Sequence, residues 1–281
     1  MSEQKWDLVI DAEKRNGRAS SKDIWRYRDL LWLLVRRDFV SFYKQTVLGP
    51  IWFFIKPVFS SLVYLFVFGK LAGLSSDGIP PVLFYLSGVT AWSFFSETVG
   101  TTSNVLTANA AIFGKVYFPR LIMPISITFS ALIKVGIQMI LIALMFIFYL
   151  ITTDELTLTP TIFLLPVIIT VIALQAFGVG LFVAAVSIKY RDISMLIGYV
   201  LQLGLFVTPV VYPLSSLTGK LRLLAVANPM SYPLELFRYS FFGTGSFTTV
   251  GLLYMVMVTL VLFLIGIYAF NKAEKTFVDT V

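Results

Sequence analysis

Six long apolar segments, at roughly 51–69, 81–106, 124–151, 161–187, 194–214 and 249–270, run through this chain. Each approaches or exceeds the ~20 residues that carry an α-helix across a hydrocarbon core. No water in that core takes the hydrogen bonds of irregular backbone, so segments of this kind fold as helices that satisfy themselves. The expectation is an all-α polytopic membrane protein with six transmembrane helices. With 58% of residues hydrophobic and only 13% charged, the chain has too little charge to cover a water-soluble surface.

The same sequence removes several kinds of chemistry. It contains no Cys and no His, which takes away thiolate and imidazole metal ligands, disulfides and the usual neutral-pH general base. No phosphate loop of the form GxxxxGK followed by Ser or Thr occurs, so no ATP site, cofactor, metal or catalytic residue is expected in this chain. The net charge of +7 sits beside the apolar segments, where it sets topology and meets anionic lipid headgroups rather than nucleic acid.

Basic residues are retained on the cytoplasmic side of a membrane. With the N-terminus inside, the short inner loops carry Lys115, Arg120, Lys189 and Arg191, while the outer set is only Lys70, Lys220, Arg222 and Arg238. The first residues are polar and no cleavable signal peptide is visible. A multi-pass protein of the cytoplasmic membrane with both termini inside is expected.

Four regions divide the chain: a flexible cytoplasmic N-terminus (1–20), an amphipathic interfacial helix (21–47), a transmembrane domain (48–271) and a cytoplasmic tail (272–281). Ser20 to Asp23 forms a capping-box pattern that opens the interfacial helix. One side of that helix carries Arg26, Asp29, Arg36, Arg37 and Lys44, and the other Ile24, Tyr27, Leu31, Leu34, Val35, Phe39 and Phe42. Such a helix lies in the headgroup plane or, alternatively, is a solvated juxtamembrane helix.

Three further clusters carry candidate function. The inner loop from about Leu106 to Met123 mixes Asn109, Phe113, Lys115, Tyr117 and Arg120, which suits either docking into a soluble partner or an ordinary positive loop. Between spans five and six, the pieces Leu221 to Ala227 and Tyr232 to Phe242 are too short to cross and are flanked by prolines, as in re-entrant or interfacial helices that cap a pathway. On the second piece Glu235 and Arg238 stand at i,i+3, either paired or solvated. Inside the spans, Glu97 and Lys134 fall at similar depth, where lone charges are costly; they pair or both face a polar channel, and a structural pair is favoured over a substrate contact. Tyr199, Gln202 and Phe206 share one helix face, and Ala176, Gly180 and Ala184 form a small-residue stripe that permits close helix packing.

The most specific stretch is Arg37-Asp38 through Tyr43-Lys44-Gln45-Thr46-Val47-Leu48-Gly49-Pro50-Ile51-Trp52 to Lys56-Pro57. It is joined in order by Phe113 to Arg120, by Tyr190-Arg191-Asp192, and by Asn228-Pro229-Met230 with Glu235 and Arg238. Together these resemble the transmembrane permease of ABC-2-type exporters of polysaccharide or polyol phosphate, the O-antigen, capsule and teichoic acid group. The resemblance runs from about Arg28 to Lys272. It implies a homodimer, two copies of a separate ATPase subunit that holds ATP and Mg, and a lipid-linked glycan substrate. It further implies that the inner loop is the ATPase coupling element and the outer short helices are a gate. Spans one and five would line the conduit, through Phe59 and Phe66 on the first and Tyr199, Gln202 and Phe206 on the fifth. An ABC-2 exporter of drugs or small lipids, and an ATP-independent channel or scaffold, are the competing classes.

A reporter fused after Val281 is expected to be active only on the cytoplasmic side; activity confined to the outer side would reverse the topology.

Overall fold

A computed structural model describes residues 21–44, 46–113, 115–116, 118–153, 156, 159–190, 192–245 and 248–278. The expectations for residues 1–20, for the end of the tail, and for Tyr117 and Arg191 lie outside these. Among the described residues every regular element is helical. Two helices, α1 (Ser21–Arg26) and α2 (Arg28–Tyr43), precede α3 (Trp52–Tyr64) and α4 (Pro81–Ser103). The short α5 (Val105–Ala108) and α6 (Ala110–Phe113) lead to α7 (Ile122–Thr152) and α8 (Leu165–Ser187). Then come α9 (Asp192–Val207), α10 (Gly219–Ala227), α11 (Ser231–Phe242) and α12 (Thr249–Val278).

Among the described residues, four helical segments are long and apolar enough to cross a membrane: Gly49–Leu71, Ile122–Thr152, Pro160–Ser187 and Thr249–Glu274. The other two predicted spans differ from these. The one placed at 81–106 stops at Ser103, where Asn104 breaks the helix. This α4 is long but polar, with Ser87, Thr90, Thr98 and Thr102 fully buried. It packs against α3, α7, α8, α9 and α11, so protein rather than lipid covers most of it and lipid-like composition is not required. The span placed at 194–214 is α9, only 16 residues long, and ends just before Pro209, whose ring and missing N–H oppose continuation.

The predicted single helix at 21–47 is also two. It breaks at Tyr27, whose backbone leaves the helical region, and ends at Tyr43. Its predicted apolar side is partly correct: Leu31, Leu34 and Val35 are buried, and α2 lies against α7. Trp25, Trp32 and Leu33 remain exposed.

Proline placement explains the shape of the first crossing. Pro57 sits inside α3, where it cannot donate to the carbonyl of Phe53 one turn back. Gln138 of α7 reaches that carbonyl instead, donating from Nε2 at 3.4 Å. Beyond Tyr64 the helix widens into π turns over Leu65–Leu71, with the Ala72 amide donating to Val67 five residues back.

The tightest packing in the bundle is between α8 and α12. A methyl group at Gly178 would come within 2.6 Å of the Leu262 carbonyl, and one at Gly266 would overlap the Gly178 backbone. Small residues let two helices approach this closely, and in lipid such van der Waals contact replaces the hydrophobic drive. Gln175 Nε2 donates to Thr259 Oγ1 at 2.9 Å on the same seam. The small-residue stripe read on this helix serves a second contact, where Gly180 lies against Thr102 of α4.

Gly178→Ala is expected to lower the thermal midpoint of the detergent-solubilised protein, consistent with the ~1–3 kcal/mol cost of overpacking. Gly136→Ala, whose added methyl meets nothing within 4 Å, should leave the midpoint in place.

Candidate functional site

The candidate residues gather at four places. At one end of the bundle, Asn104 ends α4 and two single-turn helices carry the chain sideways. Asn109 caps the first of them, donating from Nδ2 to the Val105 carbonyl at 2.9 Å. Phe113 packs on Phe118, with ring centroids 5.6 Å apart, and the Arg120 guanidinium lies 5.5 Å from the Phe113 ring centre. Arg120 also reaches α12: its Nε is 3.9 Å from Glu274 Oε1, and its Nη1 donates to the Glu274 carbonyl at 3.4 Å. Lys115 and Val116 are exposed at the tip of this segment. The result is a short apolar ledge with a cationic edge, fastened to the last helix.

At the opposite end, Glu235 and Arg238 are buried on α11, at 4% and 1% exposure. Solvation at the interface, open from sequence, is thereby excluded. The Arg238 guanidinium donates to the Pro209 and Val210 carbonyls, both at 2.6 Å, and stands 3.7 Å from the centre of the Phe84 ring. Glu235 Oε1 lies 3.6 Å from Arg238 Nη1 and accepts from the Leu214 amide at 3.3 Å. Gly88 of α4 makes room, since a methyl there would come within 2.6 Å of Arg238 Nη2. One buried cation thus ties α11, α4 and the end of α9 together. By contrast α10 is largely exposed along Leu221, Leu223 and Leu224.

Between α2, α4 and α7 is a polar cleft of about 270 Å³, lined in part by Arg37, Asp38, Thr101, Asn109, Glu97 and Lys134. Lys134 Nζ is 2.5 Å from Glu97 Oε1, so helix geometry brings the two ionisable residues together across α4 and α7. At the cleft mouth Arg37 pairs with Asp38.

The aromatic candidates are arranged differently. Phe59 and Phe66 on the first crossing, and Tyr199 and Phe206 on α9, are 66%, 56%, 69% and 48% exposed, and Gln202 is exposed beside them. The rings of Phe68 and Phe206 approach to 6.2 Å, so the two helices are neighbours. Their exposed rings thus lie on two adjoining helices and are left uncovered by the rest of the chain.

Sequence reasoning missed Glu274, because its partner is 154 residues away and nothing local marks it. It also missed Gln138, although the Lys-Pro pair at 56–57 signalled that an orphaned carbonyl would need a donor.

A family profile described as ABC-2 type transporter matches residues 29–242. The chain is 27% identical over 213 residues to the O-antigen export system permease protein RfbA of Myxococcus xanthus, covering 74% of this chain and 78% of that protein. It is 22% identical over 252 residues to the permease of the same name in Klebsiella pneumoniae, covering 89% and 94%. To the polysialic acid transport protein KpsM of Escherichia coli it is 23% identical over 249 residues, covering 86% and 92%.

The matched stretch contains the buried Arg238 cage. Arg238→Met is expected to destabilise the detergent-solubilised protein by about 3–5 kcal/mol, because it strands the Glu235 carboxylate in a dry site. Adding Glu235→Gln should recover part of that loss in the thermal midpoint. A midpoint unchanged by Arg238→Met would show that the cage contributes nothing to stability.

Proposed function

Because the chain belongs to the ABC-2 type transporter family, we propose that it is the permease subunit of an ATP-driven exporter that moves a lipid-linked polysaccharide outward across the cytoplasmic membrane. The O-antigen, capsule or teichoic acid type is the substrate class. The likeness over most of both chains to proteins named as O-antigen and polysialic acid export permeases is the observation that carries this reading.

In this reading the protein crosses the membrane six times, with α4 and α9 as the second and fifth crossings and both termini inside. The enclosure of α4 by other helices supports its place as a crossing despite its hydroxyl content. ATP and Mg are held by a separate ATPase subunit, present in two copies. The inner loop carrying Asn109, Phe113, Lys115, Tyr117 and Arg120 docks into that subunit as the coupling element, and the exposed Lys115 and Val116 suit the role.

Two copies of the chain form the working unit. The uncovered face of Phe59, Phe66, Tyr199, Gln202 and Phe206 supports this, since aromatic rings stack on the apolar faces of sugars while a facing copy closes the path. The outer helices α10 and α11, anchored by Glu235 and Arg238, gate the path's exit. Glu97 and Lys134 form a structural pair that neutralises two charges inside the membrane.

Purification from the native host in mild detergent, followed by mass spectrometry, is expected to recover a stoichiometric subunit bearing a phosphate-binding loop. Deleting the permease should remove a cell-surface polymer and leave it inside. A clean homo-oligomer in several detergents would move the assignment to a channel or scaffold. Drug-stimulated ATPase activity with an intact surface polymer would move it to a drug or small-lipid exporter.

A further inference from the structure

The helix α12 touches both ends of the bundle through specific side-chain contacts. At the inner end Glu274 holds Arg120 of the ledge by its carboxylate and its backbone carbonyl. At the outer end the Tyr254 hydroxyl donates to the carbonyl of Ala227, the last residue of α10, at 2.6 Å. The Tyr254 ring also packs on Tyr232 of α11, with centroids 5.8 Å apart, and Gly251 leaves no space for a side chain against that same Tyr232 ring. Tyr254 and Glu274 are twenty residues apart, which at 1.5 Å per residue is about 30 Å, the thickness of a hydrocarbon core.

Nothing in that interval interrupts the helix: α12 contains no proline. Along its middle it is keyed to α8 by the close backbone approach at Gly178 and Gly266 and by the buried Gln175–Thr259 hydrogen bond. The segment before α8 reaches the outer helices as well, with Thr161 Oγ1 donating to the Tyr239 carbonyl at 3.4 Å. A displacement imposed on the ledge therefore acts on an uninterrupted helix, laterally supported by α8, and the far ends of this pair bear on α10 and α11.

Resting on the exporter reading, we propose that α12 is the rod that transmits movement of the coupling ledge to the outer helices, with Glu274 as the positioning residue that fastens the ledge to it and Tyr254 as its outer contact. Glu274 touches neither nucleotide nor substrate; it acts through Arg120. The contact with Arg120 is a partly exposed ion pair, so its strength alone carries little stability. Its place at the end of the rod is what gives it a role.

The chain lacks cysteine, so Leu223→Cys on the exposed face of α10 supplies a single thiol on the outer side. In vesicles holding the permease with its ATPase, alkylation of that thiol by a membrane-impermeant maleimide is timed with and without ATP trapped by vanadate. Trapping is expected to change the labelling rate in the otherwise unaltered chain. Glu274→Gln and Tyr254→Phe, which remove one charge and one hydroxyl, should each abolish that change while the ATPase stays bound and continues to hydrolyse ATP. A nucleotide response that survives both Glu274→Gln and Tyr254→Phe overturns the rod, and so does its absence from the otherwise unaltered chain with ATPase bound. Failure to recover any ATPase overturns the exporter reading and the rod with it.

Discussion

A bilayer gives no water to a broken backbone, so wherever a helix of this chain stops short within the fold, a side chain has to supply the missing donor. Gln138 does this for the Phe53 carbonyl that Pro57 orphans. Arg238 does it for Pro209 and Val210 beyond the end of α9, and Tyr212 for Phe206 and Val207 just before it. Ser231 and Tyr254 serve the last carbonyls of α10, at Ala225 and Ala227, and Asn104 serves Gly100 at the end of α4. Several polar residues of this apolar chain thus serve its breaks, and those breaks shape both ends of the bundle.

This division sets what the sequence could reveal. Hydropathy detects a helix by its contact with lipid, so the four apolar crossings were legible directly. It is blind to a helix enclosed by protein, and α4 was legible only because, for all its hydroxyls, it carries no charge over the long run up to Glu97. The interfacial segment was legible as amphipathic but not as two pieces, because no proline or glycine marks the break at Tyr27. Pairings along one helix or at matched depth, such as Glu235 with Arg238 and Glu97 with Lys134, follow from spacing. Burial of the first pair does not, since it depends on Gly88 and on carbonyls released more than twenty residues earlier.

The two ion pairs illustrate how setting decides role. Glu97 and Lys134 line a cleft and keep part of their side chains exposed, so the pair is only partly desolvated. Arg238 is sealed from solvent and is held by two carbonyls, a carboxylate and a ring face at once. Each charge-assisted hydrogen bond of that kind is worth about 1.5–3 kcal/mol, against about 1 for the neutral ones elsewhere at the breaks.

That difference constrains how the outer end can move. Breaking the Arg238 contacts one by one would expose a buried cation at every step, at several kcal/mol each time. The bonds from Ser231 to Ala225 and from Tyr254 to Ala227 that hold the end of α10 are neutral and weaker. In the proposed transmission, α11, the top of α4 and the end of α9 would therefore move as one block, and α10 would be the piece displaced against it. The exposed leucines of α10 fit this, because a helix with few buried contacts is the element whose displacement disturbs the least packing.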